Sequence, residues 1–169
     1  MESHKNNGNN SRGFTVIEII AILLVIAIIG VIAVSRATST KNYNVASETE
    51  ILKANIRYAQ FRAMSDADIT YDVNNVTWGI LLSGSSYTLQ KNGANATTYF
   101  PGESSPTHSL PSGISITTGA GTTITYNLLG IPVDTSIPGI PITSNVTITI
   151  TDGASPQTIT VTQNTGLIP

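Results

Sequence analysis

The chain has 169 residues, with 8 lysines and arginines against 10 acidic residues and a formal net charge of -2. Only 11% of the residues are charged and 40% are hydrophobic, so the composition differs from that of a disordered chain and allows one packed domain with an appendage. The absence of cysteine excludes disulfides, thiolate metal clusters and thiol nucleophiles, and two histidines exclude most zinc sites and most catalytic triads.

The N-terminal segment changes abruptly from polar to apolar. Residues 1–13 are rich in Asn and Gly and show no hydrophobic periodicity, which predicts an unstructured segment. The next 21 residues, Phe14 to Val34, contain one charged residue, Glu18. As a helix they would span about 31 Å, which predicts a single membrane-spanning segment. A cleaved secretory signal peptide is the alternative, but the apolar run is longer than an ordinary h-region, contains a glutamate and is not followed by an A-x-A site.

Glu18 needs an explanation because a carboxylate in a membrane helix is costly, by about 2.5 to 3.5 kcal/mol at the centre and less near the interface. One interpretation is that Glu18 lies shallow enough to reach water among the lipid headgroups. The other is that a cation neutralises it, although no basic residue shares its helical face. A free α-amino group, created by cleavage before Phe14, would be such a cation.

Residues 12–34, RGFTVIEIIAILLVIAIIGVIAV, resemble the N-terminal segment of type IV pilins and type II secretion pseudopilins. In that family a short basic leader ends in glycine and is followed by Phe-Thr and an apolar stretch with glutamate at its fifth position. The matching residues are Gly13, Phe14, Thr15 and Glu18. The resemblance implies that a prepilin peptidase cleaves after Gly13 on the cytoplasmic side and methylates the new N-terminal Phe14. It also implies that Glu18 neutralises the N-terminus of a neighbouring subunit in a filament.

The helical pattern continues beyond the membrane segment. Apolar residues recur at spacings of seven, four, three and four, as in one buried helical stripe: Val45, Leu52, Ile56, Ala59 and Ala63. Charged residues are placed on the other faces: Glu48, Lys53, Arg57 and Arg62. No proline or glycine occurs from 31 to 78, so we predict one helix from Phe14 to about Ser65. The alternative is two helices broken between Thr38 and Asn44, where helix propensity is poor.

The remaining chain has the pattern of β-structure. Alternating Thr and Ile or Val on either side of Asp152 and Gly153 predicts a hairpin in the last 25 or so residues. Earlier candidate strands are Val76–Leu82 paired with Tyr87–Lys91, then Ala96–Phe100, Gly113–Thr117 and Thr122–Asn127. We expect Trp78 and Tyr87 to be core or cross-strand residues. The predicted fold class is therefore α+β, with a long N-terminal helix packed on the apolar face of one antiparallel β-sheet.

The head also resembles known proteins. Residues 54–93 resemble the GspH/FimT type of minor pseudopilin and pilin, in which a helix with an Ala-Arg-rich end leads to a Trp-Gly strand and a hairpin. The stretches TYNLLGIP and ITVTQNTGLIP resemble the last strands and terminal Thr-Gly of that type. The resemblance implies a pilin-like fold with four parts: a cleaved leader 1–13, a transmembrane half-helix 14–36, an amphipathic half-helix 37–65 and a periplasmic β-rich head 66–169.

Catalytic and metal sites are not expected. His108 would need an acid to orient it, and the chain beyond residue 73 offers only Glu103, Asp134 and Asp152, so we interpret His108 as a solvent-exposed loop residue. No catalytic residue and no cofactor are predicted.

Three aspartates near the predicted end of the helix resemble the start of a calcium loop: Asp66, Asp68 and Asp72. The glycine and the distal glutamate of an EF-hand are missing, so solvated aspartates are the preferred interpretation and no metal is predicted.

The expected function is that of a minor pseudopilin of a type II secretion system. The resemblance implies a non-enzymatic, single-pass inner-membrane subunit with a periplasmic head, which joins a pseudopilus that assists export of folded proteins. Its partners would be the prepilin peptidase and other pseudopilins or pilins. The alternatives are a minor pilin of a type IV pilus and a singly anchored periplasmic binding module. Nucleic acid is not an expected partner, since Lys91 is the only cation beyond residue 73.

Overall fold

A computed structural model describes residues 15–66, 77–119, 121–135 and 140–169, without the side chains of 31–43. Helix α1 extends over Val16–Ser65 as one element of 50 residues. The prediction of a single helix ending at about Ser65 is confirmed, and the alternative break between Thr38 and Asn44 is wrong. Each polar residue between Thr38 and Asn44 lowers the stability of the helix by only a few tenths of a kcal/mol relative to alanine. Because the chain is helical on both sides, continuing the helix through this segment requires no new nucleation.

The chain divides into two compact units between Thr40 and Lys41. In the first unit, the large aliphatic side chains of α1 from Val16 to Ile29 are exposed. Within the described residues, no helix has the length and apolar character needed to cross a membrane. The leader 1–13 and Phe14 lie outside the described residues, and so do the side chains of 31–34 at the other end of the apolar run.

The second unit contains the C-terminal half of α1 and nine strands among its described residues. The strands are β1 (Trp78–Leu82), β2 (Ser86–Lys91), β3 (Ala94–Asn95), β4 (Thr107–Ser109), β5 (Ser115–Thr118), β6 (Thr123–Tyr126), β7 (Pro132–Val133), β8 (Val146–Thr151) and β9 (Gln157–Val161). A six-stranded sheet has the order β3-β2-β1-β6-β7, with β4 also paired to β2, and a three-stranded sheet has the order β5-β8-β9. All pairings are antiparallel, so the predicted α+β class is confirmed.

The prediction of a single sheet is wrong, because β5 and β6 belong to different sheets. The link between them contains Gly119 and Gly121, whose φ angles are +85° and +80°. Residues with side chains rarely adopt these angles, so the two glycines allow the backbone to turn out of one sheet and into the other.

Both predicted hairpins are confirmed. In the first, β1 pairs with β2 so that Leu82 faces Tyr87 across the turn. In the second, β8 pairs with β9 so that Ile148 faces Ile159. The Oδ1 atom of Asp152 accepts hydrogen bonds from two backbone N–H groups of the turn, at 2.9 and 3.0 Å, which stabilises the reversal of the chain.

The predicted strand Ala96–Phe100 is wrong, because the chain leaves the sheet after β3. The outer edge of β2 is already occupied by β3 and β4, and Leu89 between them accepts from Ala96 N–H and donates to the carbonyl of Pro106. No part of that edge remains for a further strand. Strands β4 and β7 were not predicted, because two or three residues are too few to show alternation.

The core of the second unit lies between the stripe of α1 and both sheets. All five predicted stripe residues are fully buried: Val45, Leu52, Ile56, Ala59 and Ala63. Trp78 and Tyr87 are buried as predicted. The placement of Glu48 on a face other than that of the stripe is wrong, since Glu48 is buried on the stripe side, three residues after Val45 and four before Leu52.

The C-terminal segment is bound to α1 by side chains of the helix. Gln60 Nε2 donates to the carbonyls of Gly130 and Thr165, at 2.8 and 3.0 Å, and an Arg57 guanidinium nitrogen donates to the carbonyl of Ile168 at 2.8 Å. A Cβ atom at Gly166 would lie 2.7 Å from the ring of Tyr126, so only glycine fits this close approach. The terminal Thr-Gly of the sequence is therefore a packing element.

Candidate functional site

The predicted processing site lies outside the described residues, which begin at Thr15, directly after Gly13 and Phe14. Glu18 is in the first turn of α1 and is exposed. Its backbone N–H donates to the carbonyl of Thr15 at 3.0 Å, and its Oε2 atom accepts from the backbone N–H of Thr15 at 3.4 Å. These residues therefore form the backbone-capping half of a capping box, with Thr15 at the N-cap and Glu18 three positions later.

This capping contact was not predicted, although the T-x-x-E spacing from Thr15 to Glu18 indicates it. Glu18 has a negative charge at the positive end of the helix dipole, which stabilises the start of α1. The contact is long and exposed to solvent. Its oxygen atoms therefore remain accessible to an external cation.

An exposed aliphatic surface surrounds Glu18 and continues along α1 to Ile29. Eleven large aliphatic side chains are each at least 45% exposed: Val16, Ile17, Ile19, Ile20, Ile22, Leu23, Leu24, Val25, Ile26, Ile28 and Ile29. Soluble monomers rarely expose a continuous apolar surface of this size. Surfaces of this kind contact lipid or the apolar surface of another protein.

His108 is placed differently from the sequence prediction. It lies in β4, opposite Tyr87 of β2, and the two rings stack with centroids 4.8 Å apart and planes inclined by 23°. Its side chain is 14% exposed, so the interpretation as a loop residue in solvent is wrong. The flanking prolines of PTHSLP indicate a loop. The three-residue strand β4 between them forms through its pairing with β2, which the local sequence does not show.

Both ring nitrogens of His108 face carboxylates. Nε2 lies 3.1 Å from Glu48 Oε2, and Nδ1 lies 2.6 Å from Glu103 Oε1. Glu103 was one of the acids considered as an orienting group. In a catalytic triad one nitrogen faces the acid and the other accepts the proton of a nucleophile. Here the second nitrogen faces Glu48 instead, so the arrangement differs from a triad.

Tyr87 and Asn55 complete this cluster. Asn55 Nδ2 donates to the Tyr87 hydroxyl oxygen at 2.9 Å. Burial raises the pKa of Tyr87; the hydrogen bond from Asn55 lowers it in part, and the charges of Glu48 and Glu103 raise it further. Tyr87 therefore stays neutral and adds no charge to the cluster. We call Glu48, His108, Glu103, Tyr87 and Asn55 the imidazole cluster.

A second polar cluster lies at the end of α1. Asp66 Oδ2 accepts from Trp78 Nε1 at 2.6 Å and pairs with Lys91 Nζ at 2.8 Å. The Arg62 guanidinium carbon lies 4.6 Å from the Trp78 ring centroid, which is a cation–π contact. The interpretation of Asp66 as a solvated residue is wrong, because its side chain is 12% exposed and holds Trp78 and Lys91.

The remaining aspartates of the calcium-like pattern, Asp68 and Asp72, lie outside the described residues. Within the described part of the chain, no group of three or more acidic, histidine or cysteine side chains is arranged to hold a metal ion.

Comparisons of the chain with protein families, with curated proteins and with solved structures found no match. A proposal about the function of this protein therefore rests on the residues and contacts described above.

Proposed function

We propose that the chain is a minor pseudopilin of a type II secretion system, a structural subunit anchored in the inner membrane with its head in the periplasm. The main support is the exposed aliphatic surface of α1 from Val16 to Ile29, which includes the position of Glu18. In water this surface would be unfavourable by about 25 cal/mol for each Å² of apolar area, and lipid or a second apolar helix removes that cost.

The second support is that one helix contains two surfaces of different kinds. Its N-terminal part is aliphatic and exposed, whereas from Val45 to Ala63 a narrow stripe is fully buried against antiparallel sheets. A pilin-like subunit needs such a helix, because the same element anchors the chain and forms the core of the head. The proposed span is 14–36, continuing into the amphipathic part 37–65.

In this proposal the leader 1–13 is removed between Gly13 and Phe14 by a prepilin peptidase. Phe14 then presents a methylated α-amino group, which pairs with Glu18 of a neighbouring subunit. Glu18 exchanges its long contact with Thr15 for this ion pair during assembly. The pairing fixes the register of packed helices, because an unpaired charge in an apolar setting is costly.

The charge distribution of the head supports a protein partner over nucleic acid. Lys91 is the only cation beyond residue 73, and its Nζ atom is paired with Asp66. Phosphate backbones require several free Lys or Arg side chains.

The first experiment tests processing. Gly13→Asp should leave the full-length precursor in the inner membrane, because a peptidase site that fits only the hydrogen atom of glycine at this position cannot hold a charged side chain. Mass spectrometry of the native protein should find a methylated Phe14 at the N-terminus. A mature N-terminus at any other residue would overturn the proposal.

The second experiment separates assembly from simple anchoring. Glu18→Val should insert in the membrane and be processed normally, since it removes a charge from the apolar segment, yet it should lose crosslinking to other pseudopilins and impair secretion. Glu18→Asp, which keeps the charge with a shorter reach, should give an intermediate result. The matched control is Glu50→Gln, on the exposed side of the same helix, where Glu50 pairs with Lys53.

Wild-type crosslinking and secretion in the Glu18→Val strain would contradict the assembly role. A defect in pilus formation with normal secretion would instead assign the chain to a type IV pilus.

A further inference from the structure

The imidazole cluster joins three parts of the head that are distant in sequence. Glu48 belongs to α1, His108 to β4, and Glu103 to the connection between β3 and β4. Glu48 and His108 are separated by 60 positions in the chain. His108 therefore links the exposed part of this connection, at Glu103, to the helix, in addition to the edge-to-face contact between Phe100 and Tyr58 of α1.

The number of hydrogen bonds that the ring can donate depends on its protonation. An imidazolium has two N–H groups and can donate to Glu48 and Glu103 at the same time. A neutral imidazole has one N–H group, so its other nitrogen presents a lone pair to a carboxylate oxygen. One of the two contacts is then repulsive. The titratable groups that face the ring are Glu48 from α1, Glu103 from the connection and Tyr87 from β2.

The surroundings decide which contact is lost when the ring is neutral. The Glu48 side chain is 11% exposed, so a buried carboxylate without a donor would be costly. The Glu103 side chain is 34% exposed and can turn into water. The neutral ring therefore keeps its hydrogen on Nε2, towards Glu48, and Glu103 is released.

We propose that His108 is a pH-sensitive clip: its protonated ring holds Glu103 and the exposed turn around it, residues 101–105, against the head, and its deprotonation releases them, while Phe100 stays in the core. On release, the charge of the three groups Glu48, His108 and Glu103 changes from -1 to -2. The turn that is freed includes the Glu103 N–H, which donates to the carbonyl of Phe100 at 3.0 Å.

Hydrogen exchange of the full chain in detergent, measured by mass spectrometry, tests the clip. Rates are divided by those of an unfolded reference peptide at the same pH. Protection of the Glu103 amide, whose N–H donates to the carbonyl of Phe100, should fall at least about tenfold between about pH 5.5 and about pH 8.5, the change expected for loss of a charge-assisted hydrogen bond. Protection of β8 and β9 should not change over the same range.

Glu103→Gln is the decisive variant, because an amide can accept from a protonated ring nitrogen and donate to a neutral one. Its protection should therefore be nearly independent of pH, whereas Glu103→Ala should be poorly protected at both values. Glu50→Gln, the control, should follow the wild type. Equal protection of the wild type at both pH values, or the same pH-dependent fall in Glu103→Gln, would overturn the clip.

Discussion

A single methyl group at Gly79 is expected to destabilise the head, because the backbone of β6 lies directly against this glycine of β1. Gly79 is paired with Thr125 of β6. A Cβ atom at this position would overlap the backbone carbonyl oxygen of Ile124 and lie 3.0 Å from the Cα atom of Thr125. The obstructing atoms are backbone, so a side-chain rotation cannot relieve the overlap. Strand β6 must move, and its hydrogen bonds with β1 are weakened.

Overpacking of this kind costs about 1–3 kcal/mol. For a domain of this size, about 4 °C of Tm corresponds to each kcal/mol, so Gly79→Ala should lower Tm by about 4–12 °C. Circular dichroism of the full chain in detergent would measure the transition. The matched control is Gly84→Ala in the turn between β1 and β2, where a Cβ atom would meet no atom within 4 Å.

The control should leave Tm unchanged or raise it slightly, since alanine restricts the unfolded chain more than glycine does. If both variants had the same Tm, the close approach of β1 and β6 would not limit the residue at position 79, and the reasoning would be wrong.

The other predictions concern buried tyrosines, the helix stripe and nucleic acid. In the described part of the chain the buried Tyr126 hydroxyl has no hydrogen-bond partner, so Tyr126→Phe should raise the free energy of unfolding, measured by urea denaturation, by about 1 kcal/mol. In the same assay Tyr87→Phe should lower it by about 1–2 kcal/mol, because Asn55 loses its acceptor. Burial raises the pKa of both tyrosine hydroxyls, so the unfolded state loses these protons at a lower pH than the folded state does. The free energy of unfolding should therefore fall above about pH 10, and Tyr126→Phe should show a smaller fall when it is measured over this alkaline range. Leu52→Ala should cost about 2–5 kcal/mol through a cavity, whereas the neighbouring Ile51→Ala, on the exposed side, should cost under about 1 kcal/mol in the same assay. In a gel shift at physiological salt the chain should not bind duplex DNA, and a salt-resistant shift would contradict this.

The helix and the hairpins could be predicted from the sequence because their signals are local. The stripe from Val45 to Ala63 repeats at helical spacing, and no glycine or proline interrupts it, so neighbouring residues alone determine the extent of α1. In the same way, Asp152 and Gly153 between two alternating runs define the β8–β9 hairpin without reference to the rest of the chain. The capping spacing of Thr15 and Glu18 is equally local, and it predicts the start of the helix.

The division into two sheets and the imidazole cluster were decided only by tertiary structure. Glu48 is a charged residue at the spacing of the buried stripe, and its partner cannot be identified from the neighbouring sequence. His108 has the sequence pattern of a loop residue between prolines. Glu48 is buried and His108 is mostly shielded from solvent, and each provides a partner for the other across 60 positions. The short strand β4 forms where β2 offers a free edge. A buried charge needs a partner to offset its desolvation, and the identity of that partner depends on how distant segments pack.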